Sequence, residues 1–292
     1  MIIKVDHEIS AKLAEENQHN AAMAADWRAI DSKYTSVAGY FGEFAASVRG
    51  LELLERVGRT AMPLAILDIG VGGGESTFLL ADRGHQMSCI EPSPEFCRVI
   101  DHVATRFEVP VRVYQCTGEA AAALPAASFD VCVFNSSLHH CEDPVRALAN
   151  CRGLLRPGGR VLVVNEPLLR FYRSHAWFQR QLELDPVAMG HYGGNEHSYH
   201  HGEYLAMLRQ AGFQDVRAVL AVRNAQPRLA LRDLLWREVD GKPVYGDEAL
   251  LARLVWLVGM KHALQTGPLG RAAARLAMRL SLVHTSYAAV KD

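Results

Sequence analysis

The chain is poor in the features that mark a polyanion binder, a membrane span or a secreted protein. Its 31 basic and 32 acidic side chains leave a formal net charge of −1, so no global field draws it to nucleic acid. No uninterrupted apolar run reaches membrane-spanning length. The opening residues MIIKVDHEIS are charged at once and lack an apolar core, so no secretory signal is expected there. The cysteines (Cys89, Cys97, Cys116, Cys132, Cys141 and Cys151) include no C-x-x-C pair. Three of them, Cys89, Cys116 and Cys132, lie in strand-like runs. They read as small core side chains in a reducing compartment, and a cytoplasmic location is expected. Repeats and low-complexity tracts are absent.

What the chain does have is 292 residues with 49% apolar content, enough for one large core. Residues 1–60 lack strand-like runs and read as an N-terminal helical cover, with Phe41, Phe44, Val48, Leu51 and Leu54 at helical spacing. Trp27, Tyr34, Tyr40 and Phe41 either close over a ligand or simply pack. From residue 61 short apolar runs alternate with helical stretches: PLAILDIG, MSCIE, VRVYQC, FDVCVF and GGRVLVVNE. Val, Ile and Leu in runs of that length, separated by helices, predict a mostly parallel sheet covered on both faces. QDVRAVLAV adds a sixth strand and HTSYAAVKD a seventh. The core is expected over 61–224 and 284–292, with a helical insert at 225–283.

The stretch LDIGVGGGES places a carboxylate, Asp68, directly before Gly70, Gly72 and Gly74. In an open parallel sheet the loop after the first core strand borders the ligand crevice. Glycines there let the backbone turn sharply and approach a ligand. A phosphate loop needs a lysine that this stretch lacks, and Glu75 at the helix start would repel a pyrophosphate. Asp68 suits a cationic group such as an amine, and Glu91 at the end of the second core strand suits a ribose diol. The implied ligand carries an amino-acid end and a ribose but no phosphate.

Asp68-x-Gly70-x-Gly72-x-Gly74 resembles motif I of the class I S-adenosylmethionine-dependent methyltransferases. Glu91, GEAAAALPAASFDVCVF, NSSLHHCEDP and LLRPGGRVLVVNEP resemble later segments of that family in the same order. The resemblance implies a seven-stranded Rossmann-like α/β sheet and S-adenosylmethionine as cofactor. It places Asp68, Gly70, Gly72, Gly74, Glu91, Gly118, Glu119 and Asn135 around that cofactor. Many family members have an Asp beside the adenine. Here Glu119 takes that role, or it caps a short helix and Gly118 contributes only backbone. Asn135 and Ser136 contact the cofactor, or form a turn that merely ends the strand.

By the same resemblance His140 is the expected base, His139 its substitute, and Glu166 the partner that orients it. Histidine titrates near neutral pH and suits proton removal from a hydroxyl. The expected reaction is O-methylation of a small-molecule or glycan-type acceptor. The alternatives are C-methylation of a quinone- or lipid-like ring, and a non-catalytic S-adenosylmethionine-binding protein.

The segment MGHYGGNEHSYHHGEY reads as a substrate-side loop, with His191, Tyr192, His197 and Tyr199 toward the acceptor and His197 a reserve base. Its spacing matches no compact zinc signature, and methyl transfer needs no metal, so none is expected. Between Ala249 and Lys291 there is no acidic residue, and Arg271, Arg275 and Arg279 fall four apart. They form either a solvated helix face opposite Leu276, Leu280 and Val283, or a peripheral contact with an anionic membrane or lipid-linked substrate.

Overall fold

In a computed structural model, residues 2–30, 60–185, 196–220, 237–239, 242–244, 268–281 and 285–292 are described here. The core strands are β2 (Ala65–Ile69), β3 (Gln86–Ile90), β4 (Val111–Gln115), β5 (Phe129–Asn135), β6 (Leu155–Val164), β7 (Gln214–Leu220) and β10 (Thr285–Val290). They join β1 (Ile2–Lys4) in an eight-stranded sheet of order β1-β4-β3-β2-β5-β6-β10-β7. Only β10 runs against its neighbours, pairing antiparallel with both β6 and β7.

The count exceeds the expected seven because β1 pairs in parallel with β4, Ile3 opposite Tyr114. Three residues are too few to show a strand's alternation. The N-terminal residues therefore supply a sheet edge as well as helix α1 (Ala11–Ile30). The amphipathic helical stretch expected over residues 35–59 lies outside the described residues, as does Tyr34.

The connecting helices follow their capping signals. Helix α2 (Glu75–Asp82) starts from Gly74 at φ 88°, and α3 (Pro94–Arg106) has Ser93 as N-cap with Pro94 in its first turn. Helix α4 (Pro144–Leu154) is capped by Asp143, whose carboxylate accepts from Arg146 N at 2.9 Å. Helices α5 (His175–Leu184) and α6 (His201–Gln210) follow β6. All six cysteines are buried and free.

Two apolar clusters sandwich the sheet. One packs Phe78, Phe96, Ile100 and Val103 against Cys89 and Val133; the other packs Leu138, Leu148, Tyr204 and Tyr287 against Leu67 and Phe134. The 225–283 segment is not wholly helical where described. It contains a short antiparallel hairpin, β8 (Arg237–Val239) with β9 (Lys242–Val244), and helix α7 (Pro268–Arg279). On α7, Arg275 and Arg279 are exposed as expected. Leu276, expected on the apolar side, is exposed too, and Met278 is the buried residue. Val283 lies outside the described residues.

Strand order reverses between β2 and β5, with β3 and β4 on one side and β6 on the other. The loops leaving β2 and β5 therefore diverge to opposite faces and leave a crevice beyond their carboxyl ends.

Candidate active site

That crevice encloses about 1200 Å³ and is lined by the glycine turn, Glu75, Glu91, Gly118, Glu119, Asn135, His139, His140, Glu166 and Glu196. The turn itself is built from left-handed glycines. Gly70, at φ 67°, has a backbone N–H that donates to Ile90 O at 2.8 Å. Gly72, at φ 52°, lines the crevice, and a Cβ there would meet nothing within 4 Å. Side-chain-free backbone thus borders open space.

Asp68 sits beneath the turn rather than in the crevice. It is fully buried and accepts hydroxyl hydrogen bonds from Ser76 at 2.6 Å and Thr77 at 2.8 Å. Its other oxygen has no partner among the described residues. Burial pushes its carboxyl up to about 6, against the pull of the two hydroxyls. Asp68 therefore braces the turn on the first residues of α2, a different job from the direct amine contact expected for it.

Glu91 lines the crevice and binds backbone. One oxygen accepts from Gly72 N at 2.8 Å and the other from Ser93 N at 2.9 Å. Burial pushes its carboxyl up to about 8, and burial likewise pushes Glu75 up to about 7. Sequence reasoning treated Glu75 only as an obstacle to phosphate. Glu16, from α1, lines the same space and adds negative charge beside Glu91. A crowded set of carboxylates in a low-dielectric cleft disfavours anions and favours a cationic ligand.

Gly118 begins a 3-10 turn, Gly118–Ala123, packed on α4: a Cβ there would approach Ala147 Cβ at 3.1 Å. Glu119 Oε1 accepts from Asp143 N at 3.2 Å, so its carboxylate caps the loop entering α4 while the residue lines the crevice. Asn135, the last residue of β5, lines the crevice with its side-chain oxygen buried and unpartnered among the described residues. An orphaned amide oxygen at a cleft wall is the kind of group a polar ligand satisfies.

The next residues turn through a strained step. Ser136 has φ 56° and Asn165, after β6, has φ 60°. Left-handed residues other than glycine cost energy and cluster at ligand sites. The turn feeds a single 3-10 loop, Leu138–His140. Glu166 nucleates that loop. It accepts from Ser137 N and Leu138 N at 3.0 Å each and from His139 N at 3.2 Å. His139 Nδ1 also donates to it at 2.7 Å. Glu166 is itself fixed from behind, since Tyr204 hydroxyl donates to Pro167 O at 3.0 Å and the Tyr204 ring stacks on Tyr287.

Glu166 is therefore the partner of His139, whereas the sequence reading gave it to His140. The oxygens of Glu166 are taken up by His139 Nδ1 and three backbone N–H groups. Burial would pull His139 down, but the charge and hydrogen bond of Glu166, with help from Glu196, push it up to about 10. His140 is turned toward α1 and Glu196: its Nδ1 lies 3.8 Å from Glu16 Oε1 and its Nε2 3.6 Å from Glu196 Oε2.

The His-rich loop supplies a carboxylate to the crevice. Glu196 lines it, while His197 and Tyr199 do not. Their rings stack on each other, and Tyr199 forms a bridge to Leu168. His200 Nδ1 donates to Leu169 O at 3.0 Å, and His201 pairs with the Tyr287 hydroxyl at 3.2 Å. These are structural tasks at the start of α6. His191 and Tyr192 lie outside the described residues. Only the crowding of polar residues hinted at Glu196; the spacing did not single it out.

A family model described as a methyltransferase domain matches residues 67–163. The ubiquinone biosynthesis O-methyltransferase of Xanthomonas axonopodis pv. citri is 30% identical over 161 residues, covering 53% of this chain and 65% of the relative. The protein of that name from Parvibaculum lavamentivorans is 29% identical over 164 residues, covering 54% and 63%. The chain thus spans less than two thirds of the length of these curated relatives. Phosphoethanolamine N-methyltransferase 2 of Haemonchus contortus, solved with S-adenosyl-L-methionine, superposes with a TM-score of 0.51 at 17% identity. That superposition covers 82% of this chain and 51% of the other, and it bears on the fold alone. Switch-point crevice, glycine turn and acidic wall agree with the methyltransferase domain that the family model matches over residues 67–163.

Proposed function

We propose that this protein methylates an oxygen of a small, quinone-related acceptor, using S-adenosylmethionine. The observation that carries the reading is a single crevice with a glycine turn and buried carboxylates at one end and a histidine pair at the other. When bound, S-adenosylmethionine supplies an electrophilic methyl group on a positively charged sulfur.

The chain's own residues supply the rest. The turn at Gly70–Gly74 gives close backbone approach, and Glu91 offers acceptor oxygens to a diol. Asn135 Oδ1, buried and lacking a partner among the described residues, fits a polar group of the cofactor. Glu75, Glu91 and Glu16 favour a cation over a phosphorylated nucleotide. At the other end Glu166 locks His139, which presents Nε2 toward Glu196. His140 and Glu196 face the acceptor end of the crevice, where a hydroxyl must lose its proton. Holding donor and acceptor in line supports roughly 7–11 kcal/mol of barrier lowering. The names of the curated relatives favour a quinone-related small molecule over a glycan-type acceptor.

The test joins calorimetry with adenosylhomocysteine to turnover on a panel of catechol and hydroxyquinone acceptors. His140→Ala is expected to lower kcat by roughly 10²–10⁴ while cofactor affinity holds. A protein that binds no adenosylhomocysteine would overturn the reading. A protein that binds it but methylates nothing would favour a binding module.

A further inference from the structure

We propose that His139, His140 and Glu196 bind a divalent transition-metal ion, which holds the acceptor oxygen at the end of the crevice. The ligand set stands on geometry alone; the ion's part in methyl transfer rests on the function proposed above.

One donor atom from each of the three residues lies within 4.8 Å of the others. Nε2 of His139 is 3.4 Å from Glu196 Oε1, and Nε2 of His140 is 3.6 Å from Glu196 Oε2. The first is a long hydrogen bond and the second lies beyond hydrogen-bond range. Both approach the edge of a tetrahedron around an ion bonded at about 2.0–2.1 Å, an edge of about 3.3 Å. Glu196 Oε2 is buried and has no hydrogen-bond partner among the described residues, which a cation would remedy.

The surroundings are those of a metal-ligating histidine. Glu166 accepts from His139 Nδ1 at 2.7 Å and is itself fixed by three backbone N–H groups, so Nε2 is turned outward and takes the ion in exchange for its own proton. Such carboxylate–histidine–metal relays orient the ring and raise its basicity. The two rings lie 4.1 Å apart, held on one turn by the left-handed Ser136. Two imidazoles and one carboxylate suit zinc or a similar transition dication better than magnesium or calcium. Three protein ligands leave a position open toward the crevice, where a hydroxyl would bind.

An ion there lowers the pKa of the bound hydroxyl, which gives its proton to solvent. The oxygen's electron pair then forms the new C–O bond. The methyl–sulfur bond breaks, its pair stays on sulfur, and neutral adenosylhomocysteine leaves. The ion keeps its oxidation state. This departs from the metal-free expectation of the sequence, because Glu196 is distant in the chain from the histidine pair and no local spacing records the site.

The test uses the full chain, stripped with a chelator and titrated with Zn²⁺ alone. A second, exposed cluster of His175, His200 and Glu203 is first disabled by His175→Ala. In that background one zinc per chain is expected, and Glu196→Gln and His140→Ala should each weaken zinc at least tenfold. Co²⁺ should give the visible spectrum of a low-coordinate site, lost in Glu196→Gln. Thermal melts of the metal-free variants establish that they fold. Absence of zinc binding, or undiminished affinity in Glu196→Gln, overturns the proposal. Adenosylhomocysteine is titrated in parallel. Its binding without any zinc site sinks the metal alone, whereas zinc binding without cofactor binding sinks the methyl-transfer reading.

Discussion

Gly70 and Ser137 face each other across the switch point so closely that a Cβ on Gly70 would lie 2.7 Å from Ser137 Cβ. Ser137 Oγ donates to Ile69 O at 2.5 Å, tying the loop after β5 to the end of β2. The two walls of the crevice are thus buttoned together at one point. Gly70→Ala combines a clash with a left-handed φ and should cost about 1–3 kcal/mol. Ser137→Ala removes one buried hydrogen bond and should cost about 1–2 kcal/mol. Urea denaturation measures both, and equal stability of Gly70→Ala and the parent would contradict the contact.

Cofactor binding should expel protons. Glu75 and Glu91 stand near about 7 and about 8 in the free protein because burial disfavours their charge, with Glu16 and Asp68 adding like charge. A cationic ligand favours the ionised forms. At pH 7 binding should release roughly one proton, and affinity should rise between pH 5.5 and 8. Calorimetry in buffers of different ionisation heat reads the proton count directly; uptake instead of release would refute the electrostatic picture.

The same two carboxylates set the sign of the free protein's pH dependence. Their folded pKa values lie above the ordinary 4.5. The folded state therefore holds protons that the unfolded chain gives up, and stability falls as pH rises from about 4.5 through 8. Glu91→Gln should flatten that slope in melting curves taken across the window.

Glu166→Ala should be among the most destabilising single changes. It strands three backbone N–H groups and the His139 ring in a buried place, at a cost of about 3–5 kcal/mol. Glu196→Gln, one loop away, should cost under about 1 kcal/mol, since that carboxylate braces no backbone among the described residues. Denaturation midpoints rank the two.

Asp68→Ala should weaken cofactor binding without any direct contact being lost. It leaves the Ser76 and Thr77 hydroxyls unpaired, which costs about 1–3 kcal/mol and loosens the turn. Asp68→Asn, which keeps an acceptor oxygen, should recover most of that stability. A thermal-shift series with adenosylhomocysteine separates the two variants.

The glycine turn and the parallel core were readable because their signals are local. Apolar runs, capping residues and the Gly70–Gly74 pattern each sit within a few neighbours of what they determine. Side-chain direction after β5 was not readable. His139 and His140 are adjacent in the chain, and a backbone angle at Ser136 decides which of them meets Glu166. Glu196 was visible only as one member of a crowded polar loop, because nothing near it in the chain marks it as the residue that enters the crevice. Asp68 was assigned to the ligand because its place in the motif is visible, whereas the hydroxyls that claim it come from the next helix.

The antiparallel β10 slots between β6 and β7, so the sheet cannot be completed in the order in which it is synthesised. When β7 leaves the ribosome its one lateral neighbour among the described residues, 285–290, does not yet exist. For the whole of that interval both β6 and β7 carry a bare edge, the kind of surface on which nascent chains stick to one another. The burden of this topology falls on the folding path rather than on the finished sheet, where β10 covers both edges.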